Sequence, residues 1–336
     1  MTRDSVRAAS AAAGDAGPAL AMDRSRAHRN LVVAAMLAAC VLAGVLAICA
    51  GSTGWRWPWA WDGMIGELRA PRVVLGGIVG GALAVAGVAM QAVLHNDLAD
   101  PYVLGISGGA SAAAVVSLAL CPGVSPGPAA AAGAAGAAVL VRALARGPHD
   151  PARLLLAGVA VGSILASVTG LVLVLSPDDM LRSSTSWLFG GLGTPRWSAL
   201  VLPAGALIAA IAWLALRARR IDRLALGADV ATALGVAVPA LRRRVLVTAV
   251  VLTALAVAAA GLVGFVGLIA PHAARRLVGQ PHRAVVPLAA VLGALLVMAA
   301  DAVARTMFAP REVPVGLVTA SLGGPMFLWQ LQRGVR

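Results

Sequence analysis

Long apolar runs are the feature of this sequence that most constrains its fold, and the run from Val73 to Leu94 contains no charged residue. Across the chain 60% of residues are hydrophobic and 12% are charged, whereas a soluble domain is about 45–50% apolar and about 25% charged. An apolar excess of this size would cause aggregation in water, so the sequence predicts an integral membrane protein. The runs are continuous and do not alternate with polar residues, which indicates membrane-spanning helices.

The number of apolar runs predicts about ten spans, because one span needs about 20 residues. We therefore expect an all-α polytopic membrane protein, with a ten-helix transmembrane domain over residues 31–336 after a disordered, basic cytoplasmic tail over residues 1–30. Clustered Trp residues between positions 55 and 61 are typical of a membrane interface. The predicted spans are 31–50, 73–94, 102–120, 127–145, 154–175, 197–216, 245–260, a segment from the Gly-rich break at 261–267 to about 277, 284–304 and 314–331.

The distribution of arginine predicts how these spans are oriented. Ten spans place both termini on the same side of the membrane. With both termini in the cytoplasm, 20 of the 27 arginines fall in the cytoplasmic tail and loops, and seven fall outside. Cytoplasmic loops carry such an excess of positive charge. We therefore predict a multi-pass protein of the cell membrane with cytoplasmic termini, and the net charge of +13 requires no nucleic-acid partner.

The residue types that are missing exclude several kinds of chemistry. All 27 basic residues are arginine, and a Walker A nucleotide site needs a lysine. The same absence excludes catalysis through a lysine Schiff base. The three cysteines have no CxxC spacing of the kind typical of metal sites. We therefore predict neither a metal site nor a catalytic site in this chain.

Few ionisable residues fall within the predicted spans, where such residues are candidates for function. Asp301 and Arg305 are four residues apart and share a helix face, which suits an interfacial ion pair or a functional site equally. No carboxylate lies in the middle of a span, which disfavours a transporter driven by protons. Ser107 stands within a GxSG sequence, and together with His272 it resembles the catalytic residue pair of an intramembrane serine protease. However, GxSG is also typical of close helix packing.

Three longer motifs occur in a specific order along the chain. The first joins LRAPR at 68–72 to QAVLHNDLADPYVLGISGGA at 91–110. The second is GFVGLIAPH at 264–272, and the third combines Asp301 and Arg305 with EVPVG at 312–316 and GGPMF at 323–327. Together they resemble the FecCD-like permease subunits of ABC importers for ferric siderophores, haem and cobalamin. The resemblance covers residue 30 to the C-terminus, and one departure is Asp97, where the family usually has proline.

The resemblance implies a set of partners. Two permease subunits, this chain with a second copy or a paralogue, would surround a central path for a metal-chelate or corrinoid ligand. Two cytoplasmic ABC ATPases would bind ATP and Mg²⁺, and an external binding protein would deliver the ligand. This chain would then hold no cofactor and would not be an enzyme.

The resemblance also implies roles for particular residues. Arg69, Arg72 and Arg305 match arginines that face acidic residues of the binding protein, and guanidinium groups pair well with carboxylates. Asn96 and Leu98 match a cytoplasmic gate after the second span. Within the cytoplasmic segment 217–244 we expect one or two short helices that contact the ATPase. The residues that match this coupling region are Leu224, Leu226, Gly227, Ala228, Leu234 and Gly235.

The mechanism that follows is alternating access, in which movement of residues 217–244 opens or closes the constriction at Asn96 and Leu98. The sequence leaves two other classes of protein as alternatives: an ion-coupled secondary transporter, and an intramembrane protease that uses Ser107 and His272. The ligand also stays open among a siderophore, haem and cobalamin.

Overall fold

The structure, a computed structural model, describes residues 31–51, 54, 64–145 and 151–334, and within these ranges it contains helices but no β-strand. A π-helical turn at Met64–Arg69 precedes the second α-helix, and a 3-10 turn at Pro101–Leu104 precedes the third. The α-helices are α1 Leu31–Cys49, α2 Ala70–Leu94, α3 Ile106–Leu120, α4 Gly127–Leu144, α5 Pro151–Val174, α6 Asp178–Leu188, α7 Trp197–Leu224, α8 Ala228–Ala233, α9 Val238–Ala260, α10 Val266–Val278, α11 His282–Thr306 and α12 Val315–Gly334.

Each of the ten predicted spans lies on one of these helices. Among the described residues, seven helices are long and apolar enough to cross a membrane, and α3 and α12 contain shorter apolar stretches. Helix α10 has 13 residues. The all-α polytopic membrane fold is therefore confirmed. The orientation of the termini stays a prediction, and the tail at 1–30 and the Trp cluster at 55–61 lie outside the described residues.

Helix α2 lies at the centre of the bundle, where it packs against α7, α9, α10 and α11. Its glycines allow backbones to approach closely. Gly80 faces the backbone of Gly293 on α11, and Gly87 faces the carbonyl of Gly267 on α10, so that a Cβ atom at either position would collide with main chain. Small residues of this kind set the distance between helices in a membrane.

Helices α1, α5 and α7 lie at the periphery. Their large apolar side chains, such as Val41, Leu156 and Leu202, are exposed. Lipid tails are as apolar as these side chains, so the exposure is compatible with a lipid-facing surface.

The structure corrects the organisation between the predicted spans 154–175 and 197–216, because residues 176–196 do not only connect them. They contain α6, whose first turn carries Asp178 and Asp179. Acidic side chains in a first turn stabilise a helix through its dipole, and this signal was overlooked.

The polar stretch 217–244 also differs from expectation, since most of it continues the neighbouring spans. Helix α7 extends to Leu224 and α9 begins at Val238, so that one short helix, α8, lies between them. Arginine is a good helix former, which explains why the charged ends of both spans remain helical.

Candidate functional site

Five charged residues meet where α2 begins and α11 ends, and we call them the arginine cluster: Arg69, Arg72, Asp301, Arg305 and Glu312. The Asp301 carboxylate is at its centre. It accepts hydrogen bonds from Arg72 Nε at 3.1 Å and Nη2 at 3.0 Å, and it is paired with Arg305 Nε at 2.9 Å. Arg72 Nη1 donates to Glu312 at 2.8 Å. The shared helix face of Asp301 and Arg305 therefore does produce an ion pair, which Arg72 links to α2.

Two arginines of the cluster also hold the C-terminus of α1. Arg69 Nη1 donates to the carbonyls of Ile48 at 3.4 Å and Cys49 at 3.0 Å. Arg305 Nη2 donates to the carbonyl of Ala47 at 2.9 Å. The last carbonyls of a helix lack partners within the helix, and positive charge is favourable at this end of the dipole. The two guanidinium groups therefore fasten α1 to the bundle.

Burial divides the three arginines for which a docking role is predicted. Arg69 and Arg305 are only 6% and 3% exposed. The side chain of Arg72 is 13% exposed, and that of its partner Glu312 is 43% exposed. Arg72 and Glu312 thus form the part of the cluster that reaches the surface. Docking itself stays a prediction.

The gate segment, residues 95–100, lies at the opposite end of α2. His95 ends α2 in the left-handed conformation with φ 50°. The Asn96 side-chain oxygen then accepts from the Leu98 N–H at 2.9 Å, and Asp100 accepts from the Tyr102 N–H at 2.9 Å. Both bonds stabilise turns within irregular backbone, as expected for the break between the second and third spans.

The two predicted gate residues occupy different environments. Asn96 is exposed, whereas Leu98 lines a cavity of about 340 Å³ whose wall also includes Phe265 and Phe327. The gate segment, α10 and α12 thus enclose a space at the end of α2, which is compatible with a constriction.

Polar side chains hold the gate segment against α10. The buried Gln91 donates to the carbonyls of Ala99 and Gly267, both at 3.3 Å. Arg275 on α10 donates to Gln91 Oε1 at 2.6 Å and is paired with Asp97 at 3.6 Å. Asp97, the departure noted in the sequence, therefore places a carboxylate where it reaches α10.

The coupling segment, residues 224–235, joins α7 to α9. Gly227 and Gly235 have φ of 102° and 78°, and this conformation, which glycine adopts readily, permits the turns on either side of α8. Leu224 and Ala231 are buried and attach the segment to the bundle. Ala228, which begins α8, is half-buried.

The outer face of the coupling segment is apolar. Leu226, Val230 and Leu234 are 62%, 48% and 48% exposed. The 28 residues of α7 extend about 42 Å at about 1.5 Å per residue, which exceeds the about 30 Å of a hydrocarbon core. Exposed apolar side chains beyond the core are typical of a contact with another protein.

The pair proposed for a protease is not assembled among the described residues. Ser107 lines a cavity of about 620 Å³ whose lining does not include His272. His272 lies on α10. Gly108 of the GxSG sequence packs near Gly162 of α5, which identifies this sequence as a helix contact. In the same described ranges, no group of three or more His, Cys, Asp or Glu side chains is arranged for a metal ion.

Gln91, His95 and Glu312 are among the residues of these sites that were not predicted as site members. All three stand within the quoted motifs, so the sequence contained a signal. A motif does not show which distant residue each side chain contacts, and that is why their roles were missed.

The fold defines a polytopic helical membrane protein, and its sequence contains no lysine for a Walker A site. The profile of the FecCD transport family matches residues 39–333, and the chain belongs to that family. Members of this family are permease subunits of ABC importers in the cell membrane, and they work with separate ATPases and substrate-binding partners.

Two curated relatives and one solved structure illustrate the similarity. The hemin transport permease HmuU of Yersinia pestis is 40% identical over 80% of this chain and 82% of its own length. The cobalamin import permease BtuC of Halobacterium salinarum is 42% identical over 80% of this chain and 73% of its own length. A metal-chelate type ABC transporter solved in an inward-facing conformation is 26% identical, with a TM-score of 0.82 over 90% of this chain and 99% of that one.

Proposed function

We propose that this chain is the permease subunit of an ATP-driven importer for a metal-chelate or corrinoid ligand: an iron–siderophore complex, haem or cobalamin. The observation that carries the proposal is the coupling segment, which exposes Leu226, Val230 and Leu234 at the end of a span longer than the membrane core. A chain without lysine cannot build a Walker A site, so the partner at this surface would supply ATP hydrolysis. The relatives for hemin and cobalamin support the ligand class.

The proposed assembly contains two ABC ATPases that bind ATP and Mg²⁺, a second permease and an extracytoplasmic binding protein. The second permease is either the same chain or a paralogue. The excess of arginine in the predicted cytoplasmic loops supports cytoplasmic termini. In that orientation the gate and coupling segments face the cytoplasm together, and the arginine cluster faces outwards.

The proposed mechanism is alternating access. ATP binding and hydrolysis in the partners would move the coupling segment, and the bundle would respond by opening or closing the cavity at Leu98. Side chains at α10 and on α12 line this cavity, which supports a constriction whose width changes when these helices move. The ligand passes through without any covalent step in this chain.

Docking of the binding protein is proposed at the arginine cluster. Arg72 would pair with a carboxylate of the partner, because its guanidinium reaches the surface and already binds Glu312. Arg69 and Arg305 would hold α1 in place, and their positive charge would help to attract the acidic partner. Guanidinium–carboxylate pairing is directional and strong enough to orient a partner.

The experiment that tests the proposal is affinity purification of the full chain from native membranes in mild detergent. We expect an ATPase and a second permease to co-purify in stoichiometric amounts, with ATP hydrolysis in the eluate. Leu226→Asp should abolish ATP-driven uptake by disrupting the apolar contact, whereas Leu226→Met should preserve it. A chain that purifies alone and transports without ATP would overturn the proposal and favour a secondary transporter.

The two other functions find no specific support. The carboxylate of Asp301 is 1% exposed and is paired with two arginines, so it is not available as an ion carrier. Ser107→Ala should leave transport unchanged, since its neighbours form a helix contact and not a catalytic pair.

A further inference from the structure

One side chain connects the gate segment to the coupling segment. His95 Nε2 lies 2.9 Å from the carbonyl oxygen of Leu224. A carbonyl can only accept, so Nε2 carries the hydrogen and donates. Leu224 is the last residue of α7, where carbonyls lack partners within the helix, and its carbonyl also accepts from the Gly227 N–H at 3.1 Å. His95 therefore caps α7 with its side chain.

The same residue also ends α2 with its backbone. The His95 N–H donates to the Gln91 carbonyl, and the residue adopts φ 50° and ψ 38°. Residues other than glycine adopt this left-handed conformation only when the surroundings impose it. Here the conformation directs the imidazole from the end of α2 to the end of α7, so that one residue joins two helix ends.

The gate segment thus has two different attachments. On one side Gln91, which is 2% exposed, and Arg275 hold it to α10 through Ala99 and Asp97. On the other side His95 holds it to the coupling segment. The first attachment is largely buried, whereas His95 is exposed and can exchange its bond with water. The turn at Asn96 lies between these two attachments. If Leu224 moved relative to α10, the backbone of this turn would therefore change its conformation.

We propose that His95 is a positioning residue that transmits movement of the coupling segment to the gate segment. This inference rests on the proposed function, in which an ATPase moves the coupling segment. The Leu224 carbonyl carries His95 with it, while Asp97 and Ala99 stay on α10. The backbone between them changes shape, and the constriction beside Leu98 opens or closes with the ATPase cycle.

The test uses the complex purified with its own ATPase and a thiol reporter at the gate. Asn96→Cys is introduced after the three native cysteines are replaced by alanine, and its rate of maleimide modification is measured with and without ATP and Mg²⁺. His95→Leu removes the donor. His95→Gln keeps an N–H of similar reach. Arg142→Leu, which changes an exposed arginine in the last turn of α4 outside the gate and coupling segments, is the control.

We expect ATP to change the modification rate several-fold in the protein that retains His95 and in Arg142→Leu. His95→Leu should abolish the ATP-dependent change and lower transport per ATP hydrolysed several-fold, and His95→Gln should restore most of both. An ATP response of full size in His95→Leu would overturn the inference and leave the proposed function intact. A missing ATP response in the protein with His95, together with no co-purified ATPase, would overturn the proposed function and the inference with it.

Discussion

The two ends of α2 are held by different kinds of contact. Where α2 begins, Asp301 is 1% exposed and is paired with both Arg72 and Arg305. Where α2 ends, Asp97 is 67% exposed and His95 is also exposed. Removing one partner of a buried ion pair costs about 3–5 kcal/mol, whereas an exposed pair contributes about 0–1 kcal/mol. One end of α2 is therefore an anchor, and the other end can rearrange at low cost.

The largest expected effect breaks the anchor. Asp301→Ala should lower the free energy of unfolding by about 3–5 kcal/mol, because Arg72 and Arg305 would lose their shared buried counter-charge. Chemical denaturation of the purified complex in detergent measures the change. Glu312→Ala is the control at the exposed rim and should cost about 0–1 kcal/mol. Equal effects of the two substitutions would show that the cluster does not anchor α2.

The next effect concerns the middle of α2, which connects the two ends. Gly87→Ala places a Cβ against the Gly267 carbonyl and should destabilise the bundle by about 1–3 kcal/mol through overpacking. The same denaturation measurement applies. Gly205→Ala on α7 is the control, since a Cβ there meets no atom within 4 Å and should not destabilise. Tolerance of Gly87→Ala would mean that the two ends are not joined by a rigid helix contact.

A smaller effect is expected for partner binding, and it separates the exposed part of the arginine cluster from its buried part. Arg72→Ala should weaken binding of the proposed extracytoplasmic binding protein about tenfold, equivalent to about 1.4 kcal/mol, because the accessible guanidinium is lost. Binding to the complex is measured by surface plasmon resonance at two ionic strengths. Arg311→Ala, an exposed arginine outside the cluster, should change affinity less than twofold. Equal losses for both variants would indicate general charge attraction and refute a docking role for Arg72.

The smallest effect sharpens the description of the gate end. Asp97→Asn should change the free energy of unfolding by less than about 1 kcal/mol, because its pair with Arg275 is long, at 3.6 Å, and the Asp97 side chain is 67% exposed. High salt should remove this difference between the two proteins by screening the pair. Gln91→Ala should cost about 1–3 kcal/mol, since it leaves buried polar groups without partners. If Asp97→Asn proved the more damaging of the two, the gate end would be as firmly anchored as the other.

The predictions from sequence succeeded where the signal is local. Continuous apolar runs located the helices on which all ten predicted spans lie, and the break after Leu94 was expected because polar residues and Pro101 interrupt the pattern. The predictions from sequence missed α6 and made α7 and α9 too short. In those segments polar residues were interpreted as loop, although arginine and first-turn aspartate both favour helix.

The sequence alone determined that this protein is a polytopic helical permease of its family, because hydropathy and motif order are properties of neighbouring residues. Only the tertiary structure decided which arginine reaches the surface and that His95 contacts Leu224. Arg72 and Asp301 are 229 positions apart, and His95 and Leu224 are 129 apart. Contacts over such separations depend on how the glycine-lined helices pack, and packing is a property of the whole bundle that no single segment encodes.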